Sequence, residues 1–144
     1  KKQERRDAGQ RQPSHLDGIP KSLPALMRAQ RMQARAARQG FDWREISGAL
    51  DKVEEEFAEL RREHEAGSED AVEDEFGDLL FSLVNVARFL HVDSEQALQR
   101  AVAKFERRFR SVEVALQKRE RSMQDSTLDE LDALWDEAKQ REET

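Results

Sequence analysis

Between Lys52 and Phe89 the chain reads KVEEEFAELRREHEAGSEDAVEDEFGDLLFSLVNVARF, two helix-forming runs on either side of a break at Gly67-Ser68. Residues three apart lie on one helix face, one turn along the axis. Glu56 and Glu59 therefore make one acidic pair before the break, and Glu75 and Asp78 a second after it. Counted outward from Gly67, Glu59 matches Glu75 and Glu56 matches Asp78. In an antiparallel hairpin, equal distance from the turn means equal height on facing helices, so the spacing predicts four carboxylates converging on one patch. Two carboxylates about 5 Å apart repel by roughly 3 kcal/mol at an effective dielectric of about 20. Hard oxygen ligands in a cluster suit Mg²⁺, Mn²⁺ or Ca²⁺ rather than a soft metal. With 31 acidic residues in 144, a single E-x-x-E says almost nothing, and solvated edge charges are the competing reading. The mirror spacing about the turn is what favours a cation site.

The remainder of the chain points to helix. Runs rich in Ala, Leu, Glu, Arg and Gln, with no Tyr and few β-branched residues, predict an all-α fold. Apolar residues form single stripes on charged helices, which suits a helical bundle completed by a second copy of the chain. The net charge of −6 argues against binding a nucleic acid polymer. Without cysteine there is neither a disulfide framework nor a thiolate metal site, compatible with a cytoplasmic setting. No apolar run approaches transmembrane length and no secretory signal is present. The chain starts at Lys1 without Met, as a piece of a longer protein would.

Residues 1–20 are polar and broken by Gly and Pro, reading as a linker or flexible arm, with 21–144 as one helical domain. A first helix is expected from Ser22-Leu23-Pro24 to Gly40, with Leu23, Leu26, Met27, Gln30, Ala34 and Ala37 inward. Phe41 and Trp43 sit in the next connection, as a plug for the core or, less simply, as a base-stacking platform. The second helix, from Ser47 or Gly48 to Ala66, has Leu50, Val53, Phe57 and Leu60 as its apolar stripe. Ser68 caps the third, whose Val72, Phe76, Leu79, Leu80, Leu83, Val86, Ala87 and Leu90 predict the centre of the bundle. Ser82 and Asn85 continue the polar stripe of Glu75 and Asp78 and need partners.

The fourth helix, Ser94 to Arg119, carries Leu98, Val102, Phe105, Phe109, Val112 and Leu116 inward. Lys104 and Arg108 flank that stripe four residues apart, the charge arrangement a metal-bound phosphate needs, although surface cations are the plainer reading. Thr127 to Glu130 forms a capping box for a last helix that carries Leu131, Leu134, Trp135 and Ala138 and frays from Gln140. Lys139 is the helical neighbour of Trp135. His15 and His64 have no ligand context, and no Gly-rich phosphate loop, Ser/His/Asp set or His-based zinc pattern occurs.

These motifs, E-x-x-E followed by E-x-x-D within KVEEEFAEL and EDEFGDLLFSLVNVARF, together with SLPALMRAQRMQ, GFDW, KFERRFRSVE and LWDEAKQ, resemble the all-α nucleoside triphosphate pyrophosphohydrolases of the MazG type. The resemblance covers about residues 16–140 and is strongest to the C-terminal of two domains in tandem-domain members. It implies Glu56, Glu59, Glu75 and Asp78 as Mg²⁺ ligands, with Mn²⁺ as a substitute, and catalytic roles for Glu56, Glu59, Lys104 and Arg108. It also implies that Lys104 and Arg108 contact the triphosphate and that Trp135 and Lys139 help bind or process the nucleotide; which carboxylate accepts a proton from water is not legible, with Glu55 and Glu56 the candidates. The implied reaction converts a nucleoside triphosphate to the monophosphate and pyrophosphate in a homodimer. A dUTP-type relative of the same fold and a non-catalytic dimerisation module are the alternatives.

Overall fold

The computed structural model describes residues 12–143, so the first part of the expected arm lies outside the described residues. Those residues hold five helices and no strand: α1 (Ala25–Arg38), α2 (Ile46–Ala66), α3 (Glu69–Phe89), α4 (Ser94–Lys118) and α5 (Leu128–Glu143). The all-α expectation holds. The chain divides into two compact units, Lys1–Glu95 and Gln96–Thr144.

In the first unit α3 packs against both α2 and α1. α1 starts later than the sequence suggests, because Pro24 occupies the N-cap position with an extended ψ of 142° instead of entering the first turn. α2 and α3 form the predicted hairpin. α2 ends on Gly67 at φ 80°, whose N–H bonds the carbonyls of Glu63 at 3.1 Å and His64 at 3.2 Å. Ser68 then caps α3, its Oγ accepting the Ala71 N–H at 3.4 Å, with Glu69 and Asp70 in the first turn against the helix dipole. Gln30 fastens α1 to the far end of α3. Its Nε2 donates to the Val92 carbonyl at 2.9 Å and its Oε1 accepts from the Ser94 N–H at 2.9 Å and hydroxyl at 2.6 Å.

The buried faces differ from the expected stripes. Ala49 and Glu56 are the buried residues of α2, whereas Leu50 and Phe57 are nearly half exposed. On α3 Ser82 and Val84 are buried, while Phe76, Leu80, Leu83 and Leu90, spaced along one helix face, remain open. The physical reason is that the α2–α3 seam is taken by the acidic residues. Leu50 and Phe57 of α2 and Phe76, Leu80 and Leu83 of α3 are turned outward, available to another surface, whereas Val53, Leu60, Val72, Leu79 and Val86 of the expected stripes stay partly buried.

The second unit has a small core of Val112, Leu116 and Leu134, with Ala115, Met123, Leu131 and Trp135 packed on it. Leu98, Val102 and Phe105, read as inward from the sequence, are more than half exposed. Thr127 Oγ1 accepts the Glu130 N–H at 3.2 Å, one arm of the predicted capping box. The expected fraying from Gln140 does not occur, and α5 runs to Glu143. Glu142 is held by Arg107 Nε at 2.9 Å and Arg108 Nε at 3.0 Å, side-chain anchors that sequence periodicity does not reveal. No helix among the described residues is long and apolar enough to cross a membrane.

The hairpin turn depends on a left-handed backbone at Gly67 with open space where a Cβ would sit. Gly67→Ala should therefore cost about 1 kcal/mol through backbone strain alone, read as a lowered midpoint in denaturant unfolding.

Candidate metal centre and adjoining cavity

Folding the α2–α3 hairpin brings together the acids that the sequence places at matching heights. Glu56, Glu75 and Asp78 each offer a carboxylate oxygen within 4.8 Å of the others. Glu59, the fourth acid expected on this patch, lies outside that group of three, though near enough to perturb Glu56 and Glu75. It also lies 3.9 Å from Arg62, which gives it an outward-facing counter-charge.

Their environments are unequal. Glu56 is only 5% exposed, and Lys52 Nζ reaches its Oε1 at 3.0 Å and Glu55 Oε1 at 3.2 Å. This Lys52 contact holds the Glu56 carboxyl below the usual range, while the two acids raise the Lys52 ammonium. Glu75 has no such counter-charge. Burial first, then the nearby Glu56 and Glu59, pushes it up to about 7. Asp78 is also raised, by burial and then by Asp74 and Glu56. The seam thus favours the charged form of Glu56 and disfavours that of Glu75.

Two oxygens, Glu56 Oε2 and Glu75 Oε2, are shut away from solvent with no hydrogen-bond partner. A buried carboxylate oxygen without a partner is costly. A hard divalent cation on the seam would satisfy both and convert their repulsion into ligation, so the donor set fits a metal. An all-oxygen set with no His or Cys disfavours soft or strongly nitrogen-seeking ions.

Beside the acids lies a cavity of about 680 Å³ that Glu56, Asp78 and Lys52 share with α1, α3 and the α1–α2 connection. Met32, Phe41, Trp43 and Phe81 give it apolar walls, and Gln33, Asn85 and Arg88 add polar groups. The connection is pinned by a bidentate ion pair, Arg88 Nη1 to Asp42 Oδ2 at 3.1 Å and Nη2 to Oδ1 at 2.6 Å. Arg88 also donates to Asn85 Oδ1 at 3.0 Å, and its charge lowers the Asp42 pKa. Trp43 lies on Gly48, where a Cβ would come within 3.0 Å of the indole. The two aromatics of the connection do not plug a core: Phe41 is 84% exposed and Trp43 is 43% exposed, both facing the cavity mouth.

The remaining candidates belong to the second unit. Lys104 and Lys139 are exposed. Arg108 is half-buried, bonded to Glu142 and set over the Trp135 ring with its guanidinium carbon 5.8 Å from the centroid. Trp135 is half-buried against the local core, with Phe105 at 5.4 Å between ring centroids. Four residues in the first unit escaped the sequence reading. Lys52 could have been found from its i, i+4 spacing to Glu56. Gln33 is a polar residue on the inner face of α1, a weak signal. The Asp42–Arg88 pair joins positions 46 residues apart and leaves no local trace.

An all-α hairpin that crowds acids at its seam and opens onto a partly aromatic cavity is a candidate site for a cation and a ligand beside it. Residues 45–112 match the MazG nucleotide pyrophosphohydrolase domain, and the chain belongs to that family. It is 41% identical over 138 residues to the nucleoside triphosphate pyrophosphohydrolase/pyrophosphatase MazG of Thermotoga maritima, covering 96% of this chain and 53% of that protein. It is 47% identical over 133 residues to the nucleoside triphosphate pyrophosphohydrolase of Escherichia coli strain K12, covering 91% of this chain and 51% of that protein. The uncharacterized protein YabN of Bacillus subtilis is 43% identical over 130 residues, covering 90% of this chain and 27% of YabN. The chain spans about half the length of the first two.

The raised Glu75 fixes a pH dependence. Its folded pKa of about 7 exceeds its ordinary 4.5, so the folded state binds the extra proton between these values. Stability of the metal-free protein should fall as pH rises through that window, and Glu75→Gln should flatten the fall in urea unfolding. Divalent-cation affinity should rise over the same window with proton release, seen in calorimetry as heats that depend on the buffer.

Proposed function

We propose that this chain hydrolyses nucleoside triphosphates to the monophosphate and pyrophosphate, with Mg²⁺ held by Glu56, Glu59, Glu75 and Asp78. The observation that carries this reading is the acid-lined seam with its two orphaned carboxylate oxygens opening onto one aromatic cavity. The names of the Thermotoga and Escherichia relatives point the same way. Bound Mg²⁺ would supply positive charge for the phosphate oxygens and acidify a water; Mn²⁺ would serve in its place. Lys52 keeps Glu56 ionised for that task. Lys104 and Arg108 contact the triphosphate, and Trp135 and Lys139 help to hold the nucleotide. Arg108 must then exchange its bond to Glu142 for one to phosphate. Glu55 or Glu56 takes the proton from water.

The working unit in this reading is a homodimer in the cytoplasm, serving to clean the nucleotide pool. Support for a dimer comes from the open apolar stripe Phe76, Leu80, Leu83 and Leu90 on α3. That stripe is too continuous to be left in water without cost.

Pyrophosphate release from a panel of ribo- and deoxyribonucleoside triphosphates, with Mg²⁺ and with EDTA, tests the reaction. Release of pyrophosphate only with Mg²⁺ is expected, and orthophosphate with diphosphate products would overturn it. Glu59→Gln and Asp78→Asn should each lower turnover by roughly 100-fold or more while leaving helicity unchanged in circular dichroism. Wild-type turnover in both would remove the site assignment, and no turnover in any chain would favour a non-catalytic module. Leu80→Lys should shift the chain toward monomer in sedimentation; an unchanged dimer would place the interface elsewhere.

A further inference from the structure

We propose that Glu142 is an internal competitor for a phosphate seat on α4: its carboxylate occupies Arg107 and Arg108, and an oligophosphate must displace it to bind there. The inference rests on the triphosphate reading above for the role of Arg108. One carboxylate is shared between two guanidinium groups, with Arg107 Nε 2.9 Å from its Oε1 and Arg108 Nε 3.0 Å from its Oε2. Guanidinium groups closing on paired oxygens take phosphate in the same way as they take carboxylate. The two arginines hold the Glu142 carboxyl below the usual carboxylate range, so the competitor carries its charge at neutral pH.

Its position on α5 places Glu142 among the candidate substrate residues. Trp135, Lys139 and Glu142 follow one another at spacings of four and three and share one face of α5. Arg108 joins that face to α4, its guanidinium carbon 5.8 Å from the Trp135 ring centroid and its Nε on Glu142. The ring gives the cation a second support that does not depend on the carboxylate. The ion pair is also open to water. The side chains of Arg108 and Glu142 are 16% and 26% exposed, and that of Arg107 is 58% exposed. An anion can therefore approach from solution, and a pair in contact with water is weak enough to exchange. A carboxylate brings one negative charge to the two arginines, whereas an oligophosphate brings several, so the exchange favours the ligand.

The test is calorimetric titration of inorganic tripolyphosphate into the full chain in EDTA, comparing wild type with Glu142→Gln. A blocked seat binds with an affinity reduced by its open fraction, so the variant should bind at least about threefold more tightly. Glu113→Gln removes the same charge from an exposed position on α4 and, through screening, should change the affinity by less than about twofold. A residue that only anchors α5 would give the opposite sign, weaker binding in Glu142→Gln. Weaker or unchanged binding, equal gains in both variants, or no tripolyphosphate binding at all would overturn the inference. If Glu142→Gln does not fold, as judged by circular dichroism, NMR of the wild type decides. Tripolyphosphate should then shift the Arg107 and Arg108 Nε–H signals together with the Glu142 carboxylate carbon, and an unmoved Glu142 signal would overturn the inference.

Turnover with Mg²⁺ separates the two readings. Tighter tripolyphosphate binding in Glu142→Gln without pyrophosphate release from any nucleoside triphosphate would sink the hydrolase and leave the Glu142 contact standing. Pyrophosphate release with a KM that is unchanged or raised in Glu142→Gln, instead of lowered, would do the reverse.

Discussion

Like charges held face to face across the α2–α3 seam are the constraint to which the rest of the first unit answers. Oxygens of three carboxylates crowd within 4.8 Å, with a fourth acid, Glu59, nearby. Water would ordinarily separate such groups, yet Glu56 is buried and Glu75 half-buried. The chain answers the cost with Lys52 on one side, and on the other Glu75, pushed up to about 7, gives up its proton less readily than an ordinary glutamate. In the geometry of the seam Glu56 Oε2 and Glu75 Oε2 are buried without a hydrogen-bond partner. What remains is a site whose metal-free form is electrostatically unfinished, the usual condition of groups kept for binding rather than for stability.

That choice rearranges the packing around it. With Ala49 and Glu56 turned into the seam, Leu50 and Phe57 are carried to the outside of the same helix. α3 follows the same logic, burying Ser82, whose hydroxyl is satisfied within its own helix by the Leu79 carbonyl at 2.7 Å, and exposing Phe76, Leu80 and Leu83. The cavity beside the seam is kept open by polar clamps rather than by apolar filling. Arg88 holds Asp42 at the mouth, Gln33 bonds α3, and Gln30 ties α1 to the turn after α3. A wall built from directional bonds keeps its shape while leaving room for a ligand, which a close-packed apolar core would not.

The second unit shows a different economy. Its buried core is small, and its order depends on side-chain anchors that act on one helix end. Glu142 draws Arg107 and Arg108 together and carries α5 on to Glu143. The same pairing sets Arg108 over Trp135, so a cation and an aromatic ring arrive preassembled in one unit. Lys104, four residues before Arg108 on α4, stays exposed.

The sequence by itself determined the helices, the Gly67-Ser68 turn and the height at which each acid of the hairpin would meet its counterpart. These rest on local propensity, capping and the fixed rise of a helix, all written in neighbouring residues. It did not determine which face of each helix would be covered, because Leu50 and Glu56 lie about 120° apart around α2 and only the partner helix chooses between their faces. Nor did it reveal the Asp42–Arg88 clamp, the anchored Gln33 amide or the reach of α5, since each joins residues far apart in the chain. Local spacing can state where a charge sits along an axis. Burial, orphaned oxygens and an enclosed cavity exist only after distant surfaces have met, and so the tertiary structure alone decided them.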